Sequence, residues 1–411
     1  MSSGAARRRA PSHRSRLALA LAGGGFLGAA YELGALAALD ESIAGLELAA
    51  LDIYVGVSAG AFLAAGLANG LSPHAMVRLF IESEDADIPF DPATLLRPAW
   101  TELGERIGQV PAILTGLIEE ARRGLRSGGT GHAAWRMLSR AGSILPTGLV
   151  DAEPAEIKLA QLFSRPGFSN HFDQLRACLR IVATDLDRGE AVAFGGHGLK
   201  DVPISRAVRA SSAVPGLFAP VRIQGQWFVD GALNKTLHAS IALNEGADLV
   251  LCINPLVPYN AAGDTLPAPI ARRGMGAVLS QSVRTAIRSR MTVGLEKYRS
   301  THPGADVVLF EPRRDDALTF LTRIFSVSSR RELCEHAYQQ TRQDLLARAQ
   351  TLAPLLARHG LALDRAALTD PSRRLLHAGP RRPAPRGALA RTMRRLDHTL
   401  DDLQRALSRR S

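Results

Sequence analysis

Residues 51–66 read LDIYVGVSAGAFLAAG. The stretch from Leu51 to Val55 has the apolar character of a buried strand, the small-residue turn Gly56-Val57-Ser58-Ala59-Gly60 follows, and an alanine-rich helical pattern leaves it at once. A serine on such a strand-to-helix bend carries its hydroxyl into a cleft and holds its backbone near the positive end of a helix. Gly56 and Gly60 would allow the close backbone approaches that a Cβ resists. The turn makes Ser58 a candidate nucleophile on an elbow. By itself the pattern is equally what a small turn on a glycine-rich chain produces.

Upstream, LALALA at 17–22 is all apolar and suits the interior of a sheet covered on both faces. It runs into Gly23-Gly24-Gly25-Phe26-Leu27-Gly28 and then a helical pattern, AAYELGALAALDE, at 29–41. A strand, a glycine loop and a helix N-terminus aim backbone N–H groups at one point, as an oxyanion or a phosphate requires. The spacing is not that of a nucleotide P-loop, and a dinucleotide fingerprint is equally poorly matched. Between residues 17 and 39 only Glu32 is charged, so a signal peptide or a membrane span competes for this segment. The three consecutive glycines break the pattern where a strand–loop–helix unit needs them, so the stretch is assigned to the core of the fold.

Downstream, strand patterns at 179–186, 191–194, 221–223, 227–229 and 248–255 alternate with helical patterns at 151–163 and 203–213. The strand at 227–229 delivers Asp230, with Gly231 behind it. Further helices are expected over 276–298 and 329–359, with a strand at 306–311 between them. Strands alternating with helices predict an α/β fold. The expected organisation is a basic arm (1–16), a catalytic domain (17–258) carrying a helical insertion or cap (85–149), a C-terminal α/β extension (259–369) and a basic tail (370–411). Trp100, Trp135, Ile144 and Leu145 in the insertion are candidates to line an acyl channel. Met393, Leu396, Leu400, Leu403 and Leu407 give the tail a short amphipathic helix pattern.

The chain has 411 residues, 46% of them hydrophobic, and a formal net charge of +11. Residues 1–16 hold five arginines and no acid, while 371–411 hold eleven arginines against three aspartates, so everything between them is close to neutral. Basic ends serve as solubilising tails or as peripheral contacts to an anionic membrane; no specific nucleic-acid partner is indicated. Cys178, Cys252 and Cys334 are too few and too dispersed for a disulfide-built scaffold, and a cytoplasmic or peripheral membrane protein is expected. Oligomeric state is not legible.

A serine nucleophile needs a base and a site for the tetrahedral oxyanion. Asp230 is the candidate base, with the backbone amides of Gly24, Gly25 and Phe26 as the oxyanion site and Gly231 allowing the sharp turn behind the carboxylate. Two other readings compete with this one. Asp230 can be a solvated aspartate closing a strand, and His238 or His302 can complete a Ser–Asp–His triad, although the strand order fits an α/β-hydrolase poorly. The eleven histidines form no H-E-x-x-H pattern, and the chemistry requires neither metal nor other cofactor.

Five pieces, in this order, resemble the patatin-like phospholipase family: GGGFLG at 23–28, GVSAG at 56–60, ATDLDRGEAVAF at 183–194, RASSAVPGLFAPVRI at 209–223 and FVDGAL at 228–233. The resemblance spans roughly 17–258. It implies a three-layer, Rossmann-like patatin fold with a central mostly parallel sheet between helices, and a serine–aspartate dyad that hydrolyses ester bonds of phospholipids, lysophospholipids or other lipids. By it Ser58 is the nucleophile, Asp230 the dyad base, Gly23 to Gly25 the oxyanion loop and Gly28 its support. One position departs from the family pattern: Leu27 stands where a basic residue is usual. A weak general lipid esterase or thioesterase and a noncatalytic lipid-binding protein on the same fold are the alternatives.

Overall fold

Leu19 and Leu21 pack into one apolar cluster while Ala18, Ala20 and Ala22 pack into another, so the first strand is buried on both faces. That two-sided burial fits its run of apolar residues without polar alternation. The computed structural model describes residues 14–82, 97–98, 147–196, 198–261, 269–321 and 327–376. Eight strands form the main sheet: β1 (Leu17–Leu21), β2 (Ile53–Val57), β3 (Cys178–Asp185), β4 (Glu190–Phe194), β5 (Val221–Ile223), β6 (Gln226–Asp230), β7 (Leu249–Ile253) and β8 (Asp306–Phe310). Their order is β8-β7-β1-β2-β3-β6-β5, with β4 pairing β3. The five strands from β8 to β3 are parallel, whereas β4, β5 and β6 pair antiparallel.

The pairing of β3 has a consequence for chemistry. On one edge it pairs with β4 through Ile181 to Asp185. Its other edge is shared by two strands, β2 as far as Val57 opposite Val182 and β6 ending with Asp230 opposite Ala183. Because β2 is parallel to β3 and β6 antiparallel, the two strands run towards each other and their carboxyl ends meet.

Helices cover both faces. One side holds α1 (Gly25–Ser42), α2 (Ala59–Ala68), α3 (Ile204–Ser211) and α6 (Val327–Ala347); the other holds α4 (Ala239–Asn244) and α5 (Met275–Thr301). Gly34 lets α1 and α6 touch, since a Cβ there would lie 2.1 Å from the Cys334 carbonyl oxygen. The architecture is therefore a mixed sheet with a parallel centre and helices on both sides, as the resemblance implies.

Local boundaries differ in two places. The helix expected over 29–41 begins at Gly25, inside the glycine loop, because first-turn N–H groups need no acceptor within the helix. The single helix expected over 329–359 is two, Val327–Ala347 and Ala349–Arg358, separated at Arg348. Strand β8 adds to the sheet edge alongside β7, so residues 306–310 share the main sheet. The expected N-terminal arm before residue 14, nearly all of the 85–149 insertion with its four channel candidates, and the tail from 377 lie outside the described residues. No helix among the described residues is long and apolar enough to cross a membrane.

Candidate active site

Ser58 sits between β2 and α2 with φ 53° and ψ −120°, a conformation an L-residue holds only when its surroundings enforce it. The elbow glycines supply part of that enforcement. A Cβ on Gly56 would lie 2.4 Å from the Gly60 carbonyl oxygen, and one on Gly60 would lie 2.6 Å from the Ala22 carbonyl oxygen. The Gly60 N–H donates to that same Ala22 carbonyl at 3.2 Å, tying the elbow to the end of β1. The Ser58 side chain makes no capping bond to α2, which leaves its hydroxyl for other work.

The Ser58 side chain lies beside the Asp230 carboxylate and favours its ionised form. The head-on meeting of β2 and β6 makes the contact, and both residues are buried, at 5% and 3% exposure. One Asp230 oxygen also accepts the Ala232 N–H at 2.8 Å, and the Asp230 N–H donates to the Ala213 carbonyl at 3.0 Å. Burial pushes the Asp230 pKa up to about 6, while Ser58 and the Ala232 bond pull against that shift. Gly231 lies against β3, where a Cβ would come within 2.2 Å of the Val182 carbonyl oxygen. A solvated turn aspartate does not describe this carboxylate.

The glycine loop lies beside the same hydroxyl. A Cβ on Gly23 would stand 3.3 Å from the Ser58 Cβ, and Gly24 and Gly28 both back onto the Pro255 ring. The first helical bond of α1 runs from the Gly28 N–H to the Gly24 carbonyl at 3.0 Å, so Gly25, Phe26 and Leu27 have N–H groups without acceptors in the helix. Gly23 differs from its neighbours: its N–H is given to the Thr236 carbonyl at 3.2 Å. Gly23 is therefore set apart from the rest of the loop, its N–H being taken by the backbone. Leu27 packs against the apolar cluster under α1, the environment a basic side chain would have to avoid.

The two histidines do not join this pair. His238 is buried against the backbone of Lys235 and Gly231, and burial pushes its pKa down to about 4. His302 bonds Thr301 and Asn244 on the surface. Among the described residues no group of three or more His, Cys, Asp or Glu side chains is placed to hold a metal ion.

Three contributors escape a sequence reading. Ser211, at the end of α3, accepts the Ser58 N–H at 2.8 Å and donates to the Val182 carbonyl at 2.6 Å. Its only sequence signal is its place inside the RASSAVPG segment. Thr236 acts through its main chain, which no side-chain pattern reveals. Glu32 in α1 is wholly buried with both carboxyl oxygens lacking a hydrogen-bond partner. It stands near the backbone of Ala22, whose N–H is already given to the Ile253 carbonyl at 3.1 Å.

Among known proteins, the chain is 33% identical over 82 residues to the uncharacterized NTE family protein Rv1063c of Mycobacterium tuberculosis and to Mb1092c of Mycobacterium bovis. That segment spans 20% of this chain and 21% of each relative. Two solved structures are similar at low identity. VipD from Legionella pneumophila gives a TM-score of 0.35 at 16% identity, covering 81% of this chain and 67% of its own. The type III effector protein ExoU gives 0.33 at 19% identity, covering 82% and 53%. The family model described as patatin-like phospholipase matches residues 19–243, more than half of the chain and inclusive of the glycine loop, Ser58 and Asp230. The chain belongs to the patatin-like phospholipase family.

Proposed function

We propose that the chain is a serine hydrolase that cleaves carboxylic ester bonds of phospholipids or lysophospholipids through an acyl-Ser58 intermediate. The observation that carries this reading is the placement of the Ser58 side chain beside a buried Asp230 carboxylate, whose pKa it draws down against the effect of burial. Asp230 accepts the Ser58 proton as the oxygen attacks the ester carbonyl, and the N–H groups of Gly24, Gly25 and Phe26 receive the negative charge on the tetrahedral oxygen. Collapse expels the alcohol, which takes the proton from Asp230. Water then attacks the acyl-serine, again giving a proton to Asp230, and Ser58 leaves with it.

A second reading, a weak esterase for uncharged lipid esters or thioesters, draws on Leu27. Its apolar side chain packs inward and brings no positive charge to the glycine loop. Both readings are tested with a short-chain aryl ester, a lysophospholipid, a diacylphospholipid and a triacylglycerol, offered to wild type, Ser58→Ala, Asp230→Asn and His238→Ala. The dyad predicts that the first two substitutions abolish turnover and the third does not. Equal turnover in wild type and Ser58→Ala removes the mechanism, and the preferred substrate separates the two readings.

A further inference from the structure

The first half of helix α5 carries four large apolar side chains in the open: Met275 is 86% exposed, Leu279 61%, Val283 50% and Val278 42%. Their spacing places them on one face of the helix. The opposite face is the one that packs. There Gln281 exchanges two hydrogen bonds with the Tyr259 backbone, Arg284 donates to the Val257 carbonyl at 3.2 Å, and Met291 and Tyr298 lie against the core. The apolar stripe is therefore not a core face that merely frays.

Its position in the fold is specific. Val257 and Tyr259 follow the carboxyl end of β7, which is parallel to β1 and through it to β2, so the first half of α5 lies at the sheet edge that carries Ser58. Arg290 ties the helix to the dyad segment, donating to the carbonyl of Leu233, three residues beyond Asp230. Leu233 is itself 51% exposed.

Charge identifies what this face meets. Residues 269–295 contain five arginines and no aspartate or glutamate. Arg288 is paired with Glu311, but among the described residues Arg272, Arg273 and Arg290 have no carboxylate partner. A second copy of the chain is a poor occupant, because a two-fold contact through this face opposes arginine to arginine. Phosphate headgroups above an apolar interior complement both halves of the surface.

We propose that the first half of α5 is an interfacial docking element for anionic phospholipid bilayers. Met275, Val278, Leu279 and Val283 enter the acyl boundary, Arg272 and Arg273 engage lipid phosphates, and the dyad is brought to the membrane surface. The proposal rests on the reading of the site as one that takes lipid esters. It is tested by sedimentation of the full-length Ser58→Ala protein with phosphatidylcholine vesicles and with vesicles containing one quarter phosphatidylglycerol. Binding is expected to favour the anionic vesicles and to weaken with salt. It should fall about 10-fold or more in Met275→Ser/Leu279→Ser/Val283→Ser and in Arg272→Glu/Arg273→Glu.

The same surface substitutions on the Ser58 background should leave short-chain ester turnover unchanged, which shows that they fold. Vesicle binding equal to that of the parent in both variants overturns the proposal. So does a dimer in sedimentation velocity that the substitutions dissociate without altering vesicle binding. If wild type hydrolyses no ester, the reading of the site falls, whereas the binding comparison still decides the docking role because it uses a protein without the nucleophile.

Discussion

The hydroxyl of Ser211 accepts the backbone N–H of Ser58 at 2.8 Å and donates its own proton to the carbonyl of Val182 at 2.6 Å. It thereby joins the elbow, held at φ 53°, to the strand edge where β2 and β6 meet. Ser211→Ala leaves a buried donor and a buried acceptor unmatched, which costs about 1–3 kcal/mol for such a group. The expected outcome is a lower unfolding midpoint in urea together with a fall of ~10-fold or more in kcat, because Ser58 loses the bond that sets its backbone. Unchanged kcat at reduced stability would limit Ser211 to a structural part.

The proposed role of Asp230 as base predicts an acid limb in the activity profile. The Asp230 pKa is pushed up to about 6 by burial, so below that pH the carboxyl holds its own proton and cannot take the one on Ser58. The profile of kcat/KM should rise through about pH 6 and flatten above it. Asp230→Asn should lose ~10²–10⁴-fold in kcat at pH 8.

The same shift predicts a stability effect of opposite appearance. The unfolded chain releases the Asp230 proton near the ordinary value of 3.8 and the folded chain only near 6. Stability therefore falls as pH rises between those two values and stays lower above them, by on the order of 3 kcal/mol. Asp230→Asn, which cannot ionise, should be more stable than wild type at pH 8 and no more stable at pH 3. Thermal unfolding at the two pH values measures the difference.

Glu32 follows the same direction from a different place. It is wholly buried, its carboxyl oxygens have no partner, and burial holds its pKa well above the ordinary 4.5. Its neutral form is the one the fold accommodates. Glu32→Gln keeps the shape without the charge, so its melting temperature should match wild type in acid and exceed it increasingly as pH rises. A constant difference across the range would mean that Glu32 titrates alike in the folded and unfolded chain and that burial does not raise its pKa.

Gly34 tests the packing of α6 on α1. Because a Cβ there would fall 2.1 Å from the Cys334 carbonyl and 2.9 Å from the Tyr338 nitrogen, Gly34→Ala must push α6 away from α1. Overpacking of this kind costs about 1–3 kcal/mol, more when backbone is the obstacle. Denaturant unfolding should show the loss, despite the higher helix propensity of alanine.

The sequence alone determined what depends on neighbours along the chain. Apolar runs at 17–22 and 248–255, helical periodicity between strands, and glycines at 23–25, 56 and 60 carry local geometry, so the α/β class, the serine elbow and the glycine loop are legible there. Tertiary structure decided which strands share an edge. Ser58 and Asp230 are 172 positions apart, and nothing in the period of either segment says that β2 and β6 approach head-on along β3. The same holds for the Thr236 carbonyl that occupies the Gly23 N–H, for Ser211 beneath the elbow and for the exposed face of α5. Each depends on distant segments meeting, through backbone groups that every residue carries or through a helix face whose burial is set by what packs beside it.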